Sequence, residues 1–112
     1  MKLFEFEILE EGVIAVLNIK DICILINEHL PDQEEARNIP RAQVREVIKK
    51  IPDFRNKFAP LDSNTKFYIW SKSKKMGIGL RKRDDTDGYQ RVEVMTAVNK
   101  DYDSAEVTFF TG

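Results

Sequence analysis

The sequence predicts an α+β fold in which N-terminal helices pack on a four-stranded antiparallel β-meander. The first half carries apolar residues at helical spacing, and the second half carries short runs rich in β-branched and aromatic residues. Prolines 31, 40 and 52 punctuate the first half as helix starts and stops. The runs of the second half are joined by connections short enough to favour antiparallel pairing. At 112 residues the chain fits one domain, 1–112, with a helical part over about 14–52 and a sheet over about 65–110.

Taken in order, the opening Lys2-Leu3-Phe4-Glu5-Phe6-Glu7-Ile8 alternates as a short strand does and equally suits an acidic lead-in to a helix. Between Ile14 and Leu30 the residues Ile19, Ile22, Ile26 and Leu30 trace one helix face, with Asp21 near its start. Pro31 closes that segment and fits the first turn of a helix over 31–38, where Asp32, Glu34 and Glu35 complement the helix dipole. Pro40 restarts the pattern over 41–51. Val44, Val47, Ile48 and Ile51 make one face and Arg41, Arg45, Lys49 and Lys50 the other, until Pro52 stops it. The stretch 53–64, with Pro60 and Asp62-Ser63-Asn64, reads as a loop. Strands follow over 65–71, 76–83, 89–98 and 105–110, separated by turn-like 72–75, 84–88 and 99–104. In the second strand Met76, Ile78 and Leu80 face one way, and Gly77, Gly79, Arg81 and Arg83 the other. In the third, Val92, Val94 and Val98 oppose Arg91, Glu93 and Met95.

Composition narrows the function. With 42% hydrophobic and 33% charged residues the chain is an ordinary globular one. The single cysteine, Cys23, lies in an apolar run and reads as a buried thiol in a reducing compartment. No apolar stretch approaches the roughly 20 residues that cross a bilayer. The first eleven residues hold four glutamates and one lysine, the wrong sign for a leader. The expectation is a cytoplasmic protein, in the host cytoplasm if it is viral, with no membrane partner. His29 and Cys23 stand alone without a ligand cluster, there is no phosphate-binding loop, and Gly77-x-Gly79 falls inside a strand as a flat spot in the sheet. Neither metal nor cofactor is expected.

The net charge of −1 hides a segregation. Seven Lys or Arg and no acidic residue lie between Lys66 and Arg83. A basic stripe interleaved with Phe67, Tyr68 and Trp70 is what a polyanion needs, cations for phosphates and rings for bases. It is equally a solvated hairpin, whose tip Asp84, Asp85 and Asp87 would balance. His29, the only histidine, is a polar junction residue or a general acid/base, since imidazole titrates near neutral pH. RNA cleavage by the 2′-hydroxyl requires a base for its proton, an acid for the leaving oxygen, and cations for the pentacoordinate phosphorus.

The segment His29-Leu-Pro-Asp-Gln-Glu-Glu-Ala-Arg37-Asn-Ile39, continued by Val44 and Lys50-Ile51, resembles the helical motif of RegB-type phage endoribonucleases of the RelE-like toxin superfamily. The resemblance covers about residues 27–52 and the sheet in outline. It implies a metal-independent endoribonuclease, phage or toxin-like, acting on single-stranded RNA or mRNA, with the ribosome as a candidate place of action. It implies that His29 is catalytic and that Arg37 is structural or contacts phosphate. Two positions depart from the pattern: Gln33 replaces a frequent arginine, and Lys49 falls where the family has a second histidine. A two-histidine mechanism is thereby excluded. The second role passes to Lys66, Tyr68, Arg81, Arg83 or Arg91, with Tyr68 and Arg81 placed beside His29 in the catalytic set. Arg37, Lys49, Lys66, Trp70, Arg83 and Arg91 are the expected RNA contacts. The alternatives are a non-catalytic RNA- or ribosome-binding module on the same surface, and a phage protein that inhibits a host enzyme.

Overall fold

The segment 14–30, expected as a helix, is mostly an antiparallel hairpin: β1 (Val13–Ile19) and β2 (Ile22–Asn27). The physical reason lies at Lys20 and Asp21, with φ of 48° and 67°. Two consecutive left-handed residues make the tight reversal whose twist matches paired strands. The flanking Val and Ile side chains favour the pleated surface over the helix. Asp21 therefore turns a hairpin instead of starting a helix.

The computed structural model describes residues 12–86, 88–99 and 107–112. After β2 come α1 (His29–Ala36), α2 (Arg41–Ile48), a 3-10 turn (Ile51–Phe54) and α3 (Arg55–Phe58). The sheet then resumes with β3 (Lys66–Ser71), β4 (Met76–Thr86), β5 (Tyr89–Val98) and β6 (Val107–Thr111). All six strands join one sheet in the order β1-β2-β5-β4-β3-β6. The expected helices on a four-stranded antiparallel meander are thus corrected to a mixed six-stranded sheet with three short helices. Only β3, β4 and β5 form the antiparallel run. β2 lies parallel to β5, and β6 lies parallel to β3 on the far side of the meander. The segment 53–64, expected as a loop, takes in the end of the 3-10 turn and all of α3. Its Phe54 and Phe58 are buried, and that burial holds the turns in helical form. The opening alternation over 2–8, the turn over 99–104 beyond Asn99, and the first two residues of the expected fourth strand lie outside the described residues.

The helical connection from β2 to β3 crosses one face of the sheet and creates the core. Ile22, Ile24, Ile26, Val92, Val94, Ala97, Ile78, Leu80, Phe67 and Ile69 meet Leu30, Val44, Val47, Ile48, Ile51 and Phe58. Phe67 stacks on Phe58 with ring centroids 5.6 Å apart, and Phe109 of β6 joins Phe54 at 5.9 Å. Strand alternation then sends the intervening residues to the other face. These include Cys23, Leu25 and Asn27 of β2, Arg91 and Glu93 of β5, and Arg81 and Arg83 of β4. Lys66, Tyr68 and Trp70 of β3 and Phe110 of β6 join them. The expected split of Met76, Ile78 and Leu80 from Gly77, Gly79, Arg81 and Arg83 matches the register. Val98 differs. Leu80 pairs with Val94 but Gly79 pairs with Thr96, so Met95 is an extra residue that shifts the alternation. Ala97 enters the core in place of Val98, which pairs with Gly77.

Gly77 and Gly79 allow β3 to approach. A Cβ at Gly77 would stand 2.5 Å from the Ile69 carbonyl oxygen and 3.0 Å from the Trp70 Cα, both backbone atoms that move only with the strand. Gly77→Ala is expected to lower stability by about 1–3 kcal/mol, measured as a reduced urea midpoint with an unchanged m value.

Candidate nucleic-acid interface

The face of the sheet away from the helices is organised around one buried acid. Glu93, in the middle of β5, is 1% exposed. Its Oε1 accepts from Arg81 Nη2 at 2.9 Å and from Arg83 Nη1 at 2.7 Å, and its Oε2 accepts from Asn27 Nδ2 at 2.8 Å. Register explains the convergence. Arg81 pairs directly with Glu93 across the antiparallel β4–β5 ladder, and Arg83 follows two residues along on the same face. Burial pushes the Glu93 carboxyl up, but the hydrogen bonds from Asn27, Arg81 and Arg83 and the charge of Arg81 outweigh it and hold the group below its ordinary range.

Asn27 links that cluster to the helical junction. As the last residue of β2 it donates to Glu93, while its Oδ1 accepts the backbone N–H of His29 at 2.9 Å. His29 itself is the first residue of α1 and is exposed. The bond uses the main chain of His29, so the imidazole is not spent on it.

The structure brings Lys66, Tyr68, Trp70, Arg81, Arg83 and Arg91 to one face of the sheet. Arg91 sits toward the β4–β5 tip, its Nε donating to the Asp84 carbonyl at 2.6 Å. The basic run 81–83 is divided between faces: Lys82 is 4% exposed and pairs with Asp85 at 2.8 Å, which balances part of the tip as the acidic neighbours suggested. Lys49 stands apart, while Arg37 reaches from the end of α1 to Thr96, whose Cγ2 lies over Gly79 beside the Tyr68 ring. Arg37 donates to Thr96 Oγ1 at 3.0 Å and to the Ala97 carbonyl at 2.6 Å, clamping the C-terminal end of α1 to the bulge of β5. Lys49 is exposed at the end of α2, in the helical layer across the sheet from Arg81, with Glu46 at 4.0 Å. Cys23 is half-buried, and burial pushes its thiol up while Arg91 works against the shift.

No family model, curated protein or solved structure matches the chain. Its chemistry is read from its own residues.

Sequence reasoning missed Glu93 and Asn27 as members of the site. A signal existed for Glu93, the one acidic residue in the run from Arg91 to Val98. An acid in so apolar a strand requires cationic partners to be buried. Asn27 gave no comparable sign, because its role depends on where β2 ends. Among the described residues no cluster of three or more His, Cys, Asp or Glu is placed to hold a metal ion, and no helix is long and apolar enough to cross a membrane.

Proposed function

We propose that this chain is an endoribonuclease that cleaves single-stranded mRNA without metal, leaving 2′,3′-cyclic phosphate and 5′-hydroxyl ends. The observation that carries this reading is the Asn27 bridge. The residue bearing the only imidazole is anchored by two hydrogen bonds to the carboxylate that positions Arg81 and Arg83. His29 is exposed and reachable by a polymer, and the likeness of residues 27–52 to RegB-type enzymes supports the same reaction class.

In this reading the His29 imidazole takes the proton of the 2′-hydroxyl as that oxygen attacks phosphorus. Arg81 faces the negative charge that develops on the phosphorane oxygens. The P–O5′ bond breaks and the Tyr68 hydroxyl supplies the proton to the departing oxygen. Lys66, Arg83 and Arg91 hold the flanking phosphates by charge. The test is incubation of the purified full chain with a defined single-stranded RNA in the presence of a chelator. Fragments ending in 2′,3′-cyclic phosphate are expected, and intact RNA across several messages sinks the reading.

One observation favours a second reading. Glu93 draws on both Arg81 and Arg83 and leaves a weaker field for a transition state than two free guanidiniums provide. A non-catalytic RNA-binding module uses the same face, and it predicts salt-sensitive binding with no cleavage.

A further inference from the structure

We propose that Tyr68, Trp70 and Phe110 form a stacking platform for consecutive bases of an extended single-stranded RNA, with Lys66 and Lys72 at its two ends for phosphates. The proposal rests on the RNA reading above and assigns where the strand lies.

Three observations carry it. The Tyr68 ring settles over Gly79, where its Cε1 and Cδ1 stand 2.8 and 3.3 Å from the position of an added Cβ. Over Gly77 the Trp70 Cε3 stands 3.1 Å from the equivalent point. Both rings therefore lie low across the sheet, and both remain half-exposed. Beside Trp70 and across the parallel β3–β6 pair, Phe110 is 46% exposed, with Lys72 Nζ 5.3 Å from its ring centroid. Finally, Lys66 begins the row and Lys72 follows its end. Neither has a carboxylate partner among the described residues; Lys66 is exposed, and Lys72, whose ammonium rests over the Phe110 ring, would turn from that ring to meet a phosphate as a base arrives.

Covering a glycine with a ring is also a way to stabilise a strand pair, and it accounts for Tyr68 and Trp70 as structure. It does not account for Phe110, which covers no described glycine and stays exposed beside Trp70 on the same face. Spacing selects the ligand. Strand geometry separates Tyr68 and Trp70 by about 6.6 Å, roughly twice the ~3.4 Å rise per base in a duplex strand. Bases resting on successive rings thus belong to an unstacked strand, and a duplex keeps its bases out of reach.

Trp70 is the only tryptophan, so its emission reports on this platform alone. The probe is a single-stranded 2′-O-methyl oligonucleotide, which lacks the attacking hydroxyl and cannot be cleaved. Titrated into the full chain, it is expected to quench Trp70 in a saturable, salt-weakened manner, and its duplex form is expected not to. Phe110→Ala, at an exposed site, should weaken binding about tenfold. Binding detected by anisotropy with unchanged Trp70 emission, or with full affinity in Phe110→Ala, overturns the platform. Cleavage of unmodified RNA is scored separately. Cleavage without quenching removes the platform and keeps the ribonuclease, quenching without cleavage does the reverse, and neither signal removes both.

Discussion

Replacing His29 with alanine is expected to abolish RNA cleavage and leave the fold intact. His29 carries the only imidazole of the sequence, the side chain best suited to general-base catalysis, and no second histidine is present to take over that role. Loss of a positioned general base costs about 10²–10⁴-fold in rate. The side chain is exposed, and the bond that ties this position to Asn27 runs through the backbone N–H, which alanine keeps. Stability should therefore stay within about 0.5 kcal/mol of the parent. Tyr68→Phe provides the companion measurement, because it retains the ring over Gly79 and removes only the hydroxyl. A rate unchanged in His29→Ala, with the urea midpoint also unchanged, removes the mechanism. Cleavage lost together with the midpoint would instead show that position 29 acts through folding.

In the second half the strand positions were legible because their periods are short and local, but the pairing was not: β6 lies parallel to β3 instead of extending an antiparallel meander. Alternation in 76–83 correctly separated Met76, Ile78 and Leu80 from the glycines and arginines, since a strand has only two faces. The first half misled because Ile19, Ile22, Ile26 and Leu30 satisfy a helical face while lying on β1, β2 and α1. Periodicity does not see a reversal within its own window, and here the reversal rests on Lys20 and Asp21, neither of which is a glycine or asparagine. The same local view gathered Arg81, Arg83 and Tyr68 on one face but missed what Glu93 does to them. That pairing spans ten and twelve residues through a hairpin, and its third partner, Asn27, is 66 residues away. The Met95 bulge was equally hidden, since it exists only against the partner strand.

Removing Glu93 should be the most destabilising single change in the interface. Glu93→Ala takes from Arg81 and Arg83 the carboxylate they share and strips the Asn27 amide of its acceptor. Breaking a buried pair in this way costs about 3–5 kcal/mol, a large part of the 5–15 kcal/mol typical of a whole domain. Glu93→Gln keeps the shape and an acceptor but loses the charge, so it should be milder. The pH dependence separates charge from packing. The folded carboxyl is held below its unfolded value of about 4.3, so its stabilisation is fully present above that pH and is lost as pH falls through the folded value. Urea midpoints should drop on acidification in the parent and fall less steeply in Glu93→Gln, and identical slopes would show that Glu93 is not the group titrating. The charge released in Glu93→Gln has a second consequence on the sheet face. Loss of the carboxylate charge makes the face around Arg81 and Arg83 more positive by one charge, which should tighten RNA binding and steepen its salt dependence. Cleavage should nevertheless slow, because the carboxylate that aims the guanidiniums is gone. Tighter binding with slower cleavage is the pair of outcomes that assigns Glu93 a positioning role; weaker binding would mean that the two arginines need their acid partner to reach RNA at all.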